Sequence, residues 1–176
     1  MDQALTMERA GPADSGPVRL TPAGLASAVI VGIIGAIVIF LTPGFLALIA
    51  QQTGFDNDQL GYLAAWDINA MGVTVGLSTF VLSRVRWRLA VATGLVLIAA
   101  GNLLTGLAAT FPAMAGARVV AGAGEGIAVG FAFAALGRAR NPDRAFSIYL
   151  VAGALFSSLV LYALPEIQAE IGRAHV

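Results

Sequence analysis

From Leu25 to Ala50 the chain runs without a single charged side chain. A bilayer core of ~30 Å is crossed by about 20 helical residues at ~1.5 Å each, so this run is long enough to span a membrane. It also far exceeds the roughly 7–15 residue apolar stretch of a secretory signal. Further long runs follow at about 60–82, 89–109, 112–137 and 144–164, separated by short charged or turn-forming segments. The pattern predicts an all-α integral membrane protein of about five transmembrane helices occupying residues 23–165, with the bilayer as its solvent.

Composition narrows the function classes. Of 176 residues 58% are hydrophobic and 11% charged, and the charges gather between the apolar runs rather than spreading as they would over a soluble surface. Net charge is zero, which gives no case for nucleic acid. Cysteine is absent, so thiol chemistry and Cys-based metal sites are excluded. The one histidine, His175, stands in the tail, and neither H-E-x-x-H nor G-x-S-x-G occurs. No enzyme activity, metal or cofactor is therefore expected. All ten basic residues are Arg, and with abundant Ala and Gly this points to a GC-rich bacterial genome and its inner membrane.

Residues 1–22 mix Pro, Gly, Asp and Arg without apolar periodicity and read as a flexible tail. Pro43 and Gly44 predict a kink near the far end of the first span, tolerable where neighbouring helices satisfy the freed backbone groups. Residues 51–59 form a short acidic loop. Thr110–Pro112 is a tight turn that opens the fourth span. Asn141 caps the fifth span, with Pro142 at its first position and Asp143 complementing its dipole. Pro165 is expected to end that helix, leaving 166–176 as an outer-side tail.

Orientation follows from the arginines. The tail and the loops at 83–88 and 138–144 carry eight of the ten, including Arg84, Arg86, Arg88 and Arg144, whereas the loops at 51–59 and 110–112 carry none. Arg-rich loops stay inside, so the N-terminus is expected in the cytoplasm.

The fourth span holds the string Arg118-Val-Val-Ala-Gly122-Ala-Gly124-Glu125-Gly126. It resembles the R-x-x-x-G-x-G-x-G pattern in the fourth helix of major facilitator superfamily transporters. Similar features surround it: short outer loops, an Arg-rich loop between the second and third spans, and the Asp143-Arg144 pair opening the fifth. The resemblance covers roughly residues 20–165 and implies most of the N-terminal six-helix half of a secondary transporter, which moves a small solute by alternating access against a second half. Two departures limit it. Gly76 is followed by Leu-Ser-Thr-Phe-Val-Leu-Ser-Arg84, without the acid and second glycine of the family's loop, so its gating charge network is not carried over. The fifth span lacks a Gly-Pro motif, so no antiporter subclass is assigned. Close helix packing is the competing account of Gly122, Gly126 and Gly130, which recur every four residues, with Gly124 between them.

Three ionisable residues lie within the spans. Asp67, Arg118 and Glu125 are each costly in hydrocarbon, by at least ~2.5 kcal/mol near the centre, so they should face the bundle interior or a wet cavity. Arg118 and Glu125 are almost two turns apart, on one face and ~10 Å apart along the axis. Depths of ~12 Å for Asp67 and ~9 Å for Arg118 allow a pair between the second and fourth spans. Glu125, near mid-helix, is the candidate proton carrier, with a structural pair to Arg118 as the alternative. Asn69 and Trp66 flank Asp67 as candidate substrate contacts, although Trp at such a depth also serves as an interfacial anchor.

A different class of function is open to such a chain: a small complete polytopic protein acting as an oligomeric channel or assembly factor. Against it stands the tail. Ile171-Gly-Arg-Ala-His-Val176 is the translation of ATC GGA AGA GCA CAC GTC, followed by a stop in a common sequencing-adapter sequence, so residues 171–176 are expected to be non-native and the chain truncated.

Overall fold

The computed structural model describes residues 20–81 and 84–174, with side chains through Leu164. Every element is an α-helix: α1 (Pro22–Gly35), α2 (Ile37–Thr53), α3 (Asn57–Val81), α4 (Trp87–Leu107), α5 (Phe111–Leu136) and α6 (Pro142–Ala174). Among the described residues, four helices are long and apolar enough to cross a membrane: the α1–α2 pair, α4, α5, and α6 as far as Leu164. The surface agrees with that reading. Leu107, Leu155 and Leu159 are exposed by 72%, 67% and 68%, while Asp67, Arg118 and Glu125 are buried at 1% each. Large aliphatic side chains outside and charges inside suit lipid and not water. The chain is a multi-pass helical membrane protein.

α5 is the axis of the bundle, and small residues make it so. Gly122, Gly126 and Gly130 face α3, where a methyl group would strike the backbone of Asp67 and Met71 and the side chain of Ser78. On another side, a Cβ on Gly124 would lie 2.6 Å from the Gly94 carbonyl oxygen of α4. Ala128 and Val129 receive Gly35 of α1. Matching positions rise together between α3 and α5, which are therefore parallel, and oppose each other between α4 and α5. Contacts of Gly32 with Tyr149, Gly44 with Leu161 and Gly153 with Phe40 set α6 parallel to α1–α2. Successive passes thus alternate in direction. Buried hydroxyls are satisfied locally: Ser78 donates to the Thr74 carbonyl at 2.7 Å and Thr105 to that of Gly101 at 2.8 Å.

Several boundaries differ from the sequence reading. The first run is interrupted not at Pro43, which lies inside α2, but at Ala36 (φ −102°, ψ 10°), beside Gly35, which packs against Ala128 and Val129 of α5. At Pro43 a hydroxyl reaches the carbonyl that the missing N–H leaves free. Thr42 donates to the Val38 and Ile39 carbonyls at 2.6 and 3.4 Å, and Ser157 of α6 reaches the Phe40 carbonyl at 2.6 Å.

The loop expected at 51–59 contracts to 54–56. Gly54 caps α2 in the left-handed conformation (φ 69°), and Asp56 and Gln59 cap α3 reciprocally at 2.8 and 3.2 Å. α6 does not stop at Pro165 but continues to Ala174, since one missing N–H removes a single helical bond. An outer tail beginning at 166 is therefore replaced, through Ala174, by helix. The predicted tail through Arg19, the end of the second span at Leu82 and the last two residues lie outside the described residues.

Candidate functional site

Elements that are far apart in sequence bring four polar side chains together: Asp67, Arg118 and Glu125, all buried, and the more exposed Asn102. Asp67 lies ~15 Å along α3 from its start, and Glu125 lies ~21 Å from the start of α5 and ~17 Å from its end. Arg118 lies one turn before Gly122, the residue of α5 that Asp67 packs against. Its Nη2 donates to Asp67 Oδ2 at 2.7 Å and to Glu125 Oε1 at 3.3 Å, and its Nη1 donates to Asn102 Oδ1 of α4 at 3.0 Å. The guanidinium carbon lies 4.9 Å from the centre of the Phe45 ring of α2, within cation–π range.

Gly122 sets this geometry. Having no Cβ, it lets the Asp67 backbone and carboxylate lie against α5, one turn from Arg118. Two polar atoms of the cluster, Asp67 Oδ1 and Arg118 Nε, have no hydrogen-bond partner among the described residues. Formal charge sums to −1, with two carboxylates on one guanidinium. Asp67 holds the shorter bond and Glu125 the longer, so Glu125 is the more loosely held acid.

No family model, curated protein or solved structure matches the chain.

The other residues singled out in the sequence lie elsewhere. Asn69 is exposed, and its amide donates to the Ala65 carbonyl at 2.7 Å within its own helix. Two residues beyond Asp67, at ~100° each, it points about 200° away from the cluster. Trp66 is also exposed, at 54%. Arg84, Arg86, Arg88, Asp143 and Arg144 are exposed around the ends of α3, α4 and α6. Their two loops lie at the same end of the bundle, because Arg138 stacks on Trp87 at 4.6 Å.

Two members of the site escaped the sequence reading. Asn102 carried a usable signal, as a polar side chain inside an apolar span, but attention to ionisable groups alone passes it over. Phe45 carried none, being one of nine phenylalanines. Asn102 also lines an apolar cavity of about 260 Å³ between α2, α4 and α6, and thereby connects that cavity to Arg118.

Proposed function

We propose that this chain forms most of one half of a major facilitator-type secondary transporter, in which Glu125 carries the coupling proton. The carrying observation is the buried Asp67–Arg118–Glu125 cluster: two acids share one guanidinium inside the helix bundle. A buried charge without a partner is expensive, and one proton on Glu125 brings the cluster to zero. Proton arrival and departure then change the bonds of Arg118, and through Asn102 the wall of the adjoining cavity. A small solute recognised near that wall would be coupled to the proton by this linkage. The R-x-x-x-G-x-G-x-G resemblance around Arg118 supports the family, and the alternation of helix directions supports its topology.

In this reading α3 also crosses the membrane, as the second of five spans. Its 25 residues measure ~37 Å, and its hydropathy is depressed chiefly by Asn57, Asp58 and Gln59 in its first turn and by Asp67 and Asn69 further in. The Arg-rich ends lie in the cytoplasm. Because the protein contains no cysteine, single introduced cysteines report topology without background. Asn57→Cys and Arg86→Cys should react with an impermeant maleimide from opposite sides of the membrane, Arg86→Cys from the cytoplasmic one. Labelling of both from one side would remove α3 from the membrane and with it the half-transporter.

The coupling is tested in proteoliposomes holding the intact transporter and an entrapped pH dye, challenged with a panel of sugars, amino acids and organic cations. A transported solute should collapse an imposed pH gradient, and Glu125→Gln should abolish that flux while leaving solute exchange without a gradient. Proton flux unaltered by Glu125→Gln would reduce the residue to a structural partner of Arg118. The 176-residue chain alone should show no solute-dependent flux, since alternating access needs a second half.

A further inference from the structure

A second site lies at the Arg-rich end of the bundle, away from the buried cluster. The first turn of α1 and the start of α6 enclose a pocket of about 650 Å³. One wall is apolar, built from Leu20, Leu25 and Ile148; the rim carries Arg140, Asn141 and Arg144. Neither arginine pairs with an acid among the described residues, and Asp143, the one acid of that loop, does not line the pocket. By contrast, the neighbouring Arg138 is occupied on the Trp87 ring.

The backbone adds to this field. α1 and α6 both begin at the pocket, so the positive ends of two helix dipoles converge on it. The combination is amphipathic: two free guanidinium groups stand beside an aliphatic wall that begins a membrane-facing helix. A free anion would use the arginines and leave the wall idle, whereas a lipid would use both.

We propose that this pocket binds an anionic phospholipid, with Arg140 and Arg144 on its headgroup phosphate and Leu20, Leu25 and Ile148 against the upper part of its acyl chains. Basic residues at such a depth select anionic lipid over zwitterionic lipid of the same chain length. The ligand would brace the first turns of α1 and α6, beyond the core that joins Ala28 and Val29 to Ala145 and Tyr149.

Native mass spectrometry of the purified chain in detergent tests this, with short-chain phosphatidylglycerol, phosphatidylcholine of the same chains and inorganic phosphate as probes. Each arginine beside an anionic headgroup contributes about fivefold in binding. The double variant Arg140→Gln, Arg144→Gln should therefore bind phosphatidylglycerol about 25-fold more weakly. The charge-matched control Arg84→Gln, Arg86→Gln should stay within about twofold of the parent. Ile148→Ser should also weaken the lipid several-fold, and it carries the test should the double variant lose helicity. Equal binding of the two lipids, an equal loss in the control, phosphate bound as tightly as lipid, or an unchanged Ile148→Ser would each overturn the proposal.

Discussion

Replacing Arg118 by Leu is expected to be the most damaging single change at the buried cluster, costing about 3–5 kcal/mol of stability in reversible unfolding from mixed micelles. The size follows from what is left behind. Asp67 and Glu125, each 1% exposed, would lose their shared cation while remaining buried. Much of that cost belongs to the orphaned acids and not to the lost bonds, so it should be recoverable. In the background Asp67→Asn, Glu125→Gln, the same Arg118→Leu change should cost less than half as much, because a neutral buried cluster no longer needs the guanidinium. Equal costs in the two backgrounds would mean that the three side chains are not energetically coupled.

The second large effect is steric. Gly122→Val should destabilise by about 1–3 kcal/mol or more, because its first carbon already falls on the Asp67 carbonyl of α3 and two further methyl groups must follow. α3 can make room only by moving away from α5, which lengthens the 2.7 Å bond from Arg118 to Asp67. A control exists on the same helix. Gly116 has nothing within 4 Å of an added Cβ, so Gly116→Ala should be neutral or slightly stabilising. If both substitutions behaved alike, helix propensity and not the close approach of α3 and α5 would govern these glycines.

Periodicity and charge placement made much of this architecture readable. Apolar run lengths mark the helices, and the rule that ionisable groups avoid lipid points Asp67, Arg118 and Glu125 inward. The seven-residue spacing of Arg118 and Glu125 put both on one face, where they lie 3.3 Å apart. Depth counting put Asp67 at the level of Arg118. Asn69 shows the limit of adjacency in sequence: proximity to Asp67 along the chain means the opposite side of a helix.

The helix breaks were poorly legible for a related reason. Proline signals a break, yet α2 runs through Pro43, where the Thr42 hydroxyl reaches the Ile39 carbonyl that the missing N–H leaves free and the distant Ser157 donates to the neighbouring Phe40 carbonyl. Conversely, nothing local marks Ala36, whose bend depends on how closely Gly35 approaches α5. Partners such as Phe45 and Asn102 depend on how whole helices pack. Single-span patterns do not contain that information.

In the proposed function a buried acid of this bundle takes up and releases a proton. Infrared difference spectroscopy on the protein in a bilayer, recorded while pH is stepped downward, observes that proton on the carboxyl group itself. The account predicts a protonated-carboxyl band that grows on acidification, disappears in Glu125→Gln and survives in Asp56→Asn and Asp58→Asn, which alter acids at the start of α3 remote from the cluster. Persistence of the whole band in Glu125→Gln, or no such band in the parent protein, would contradict it.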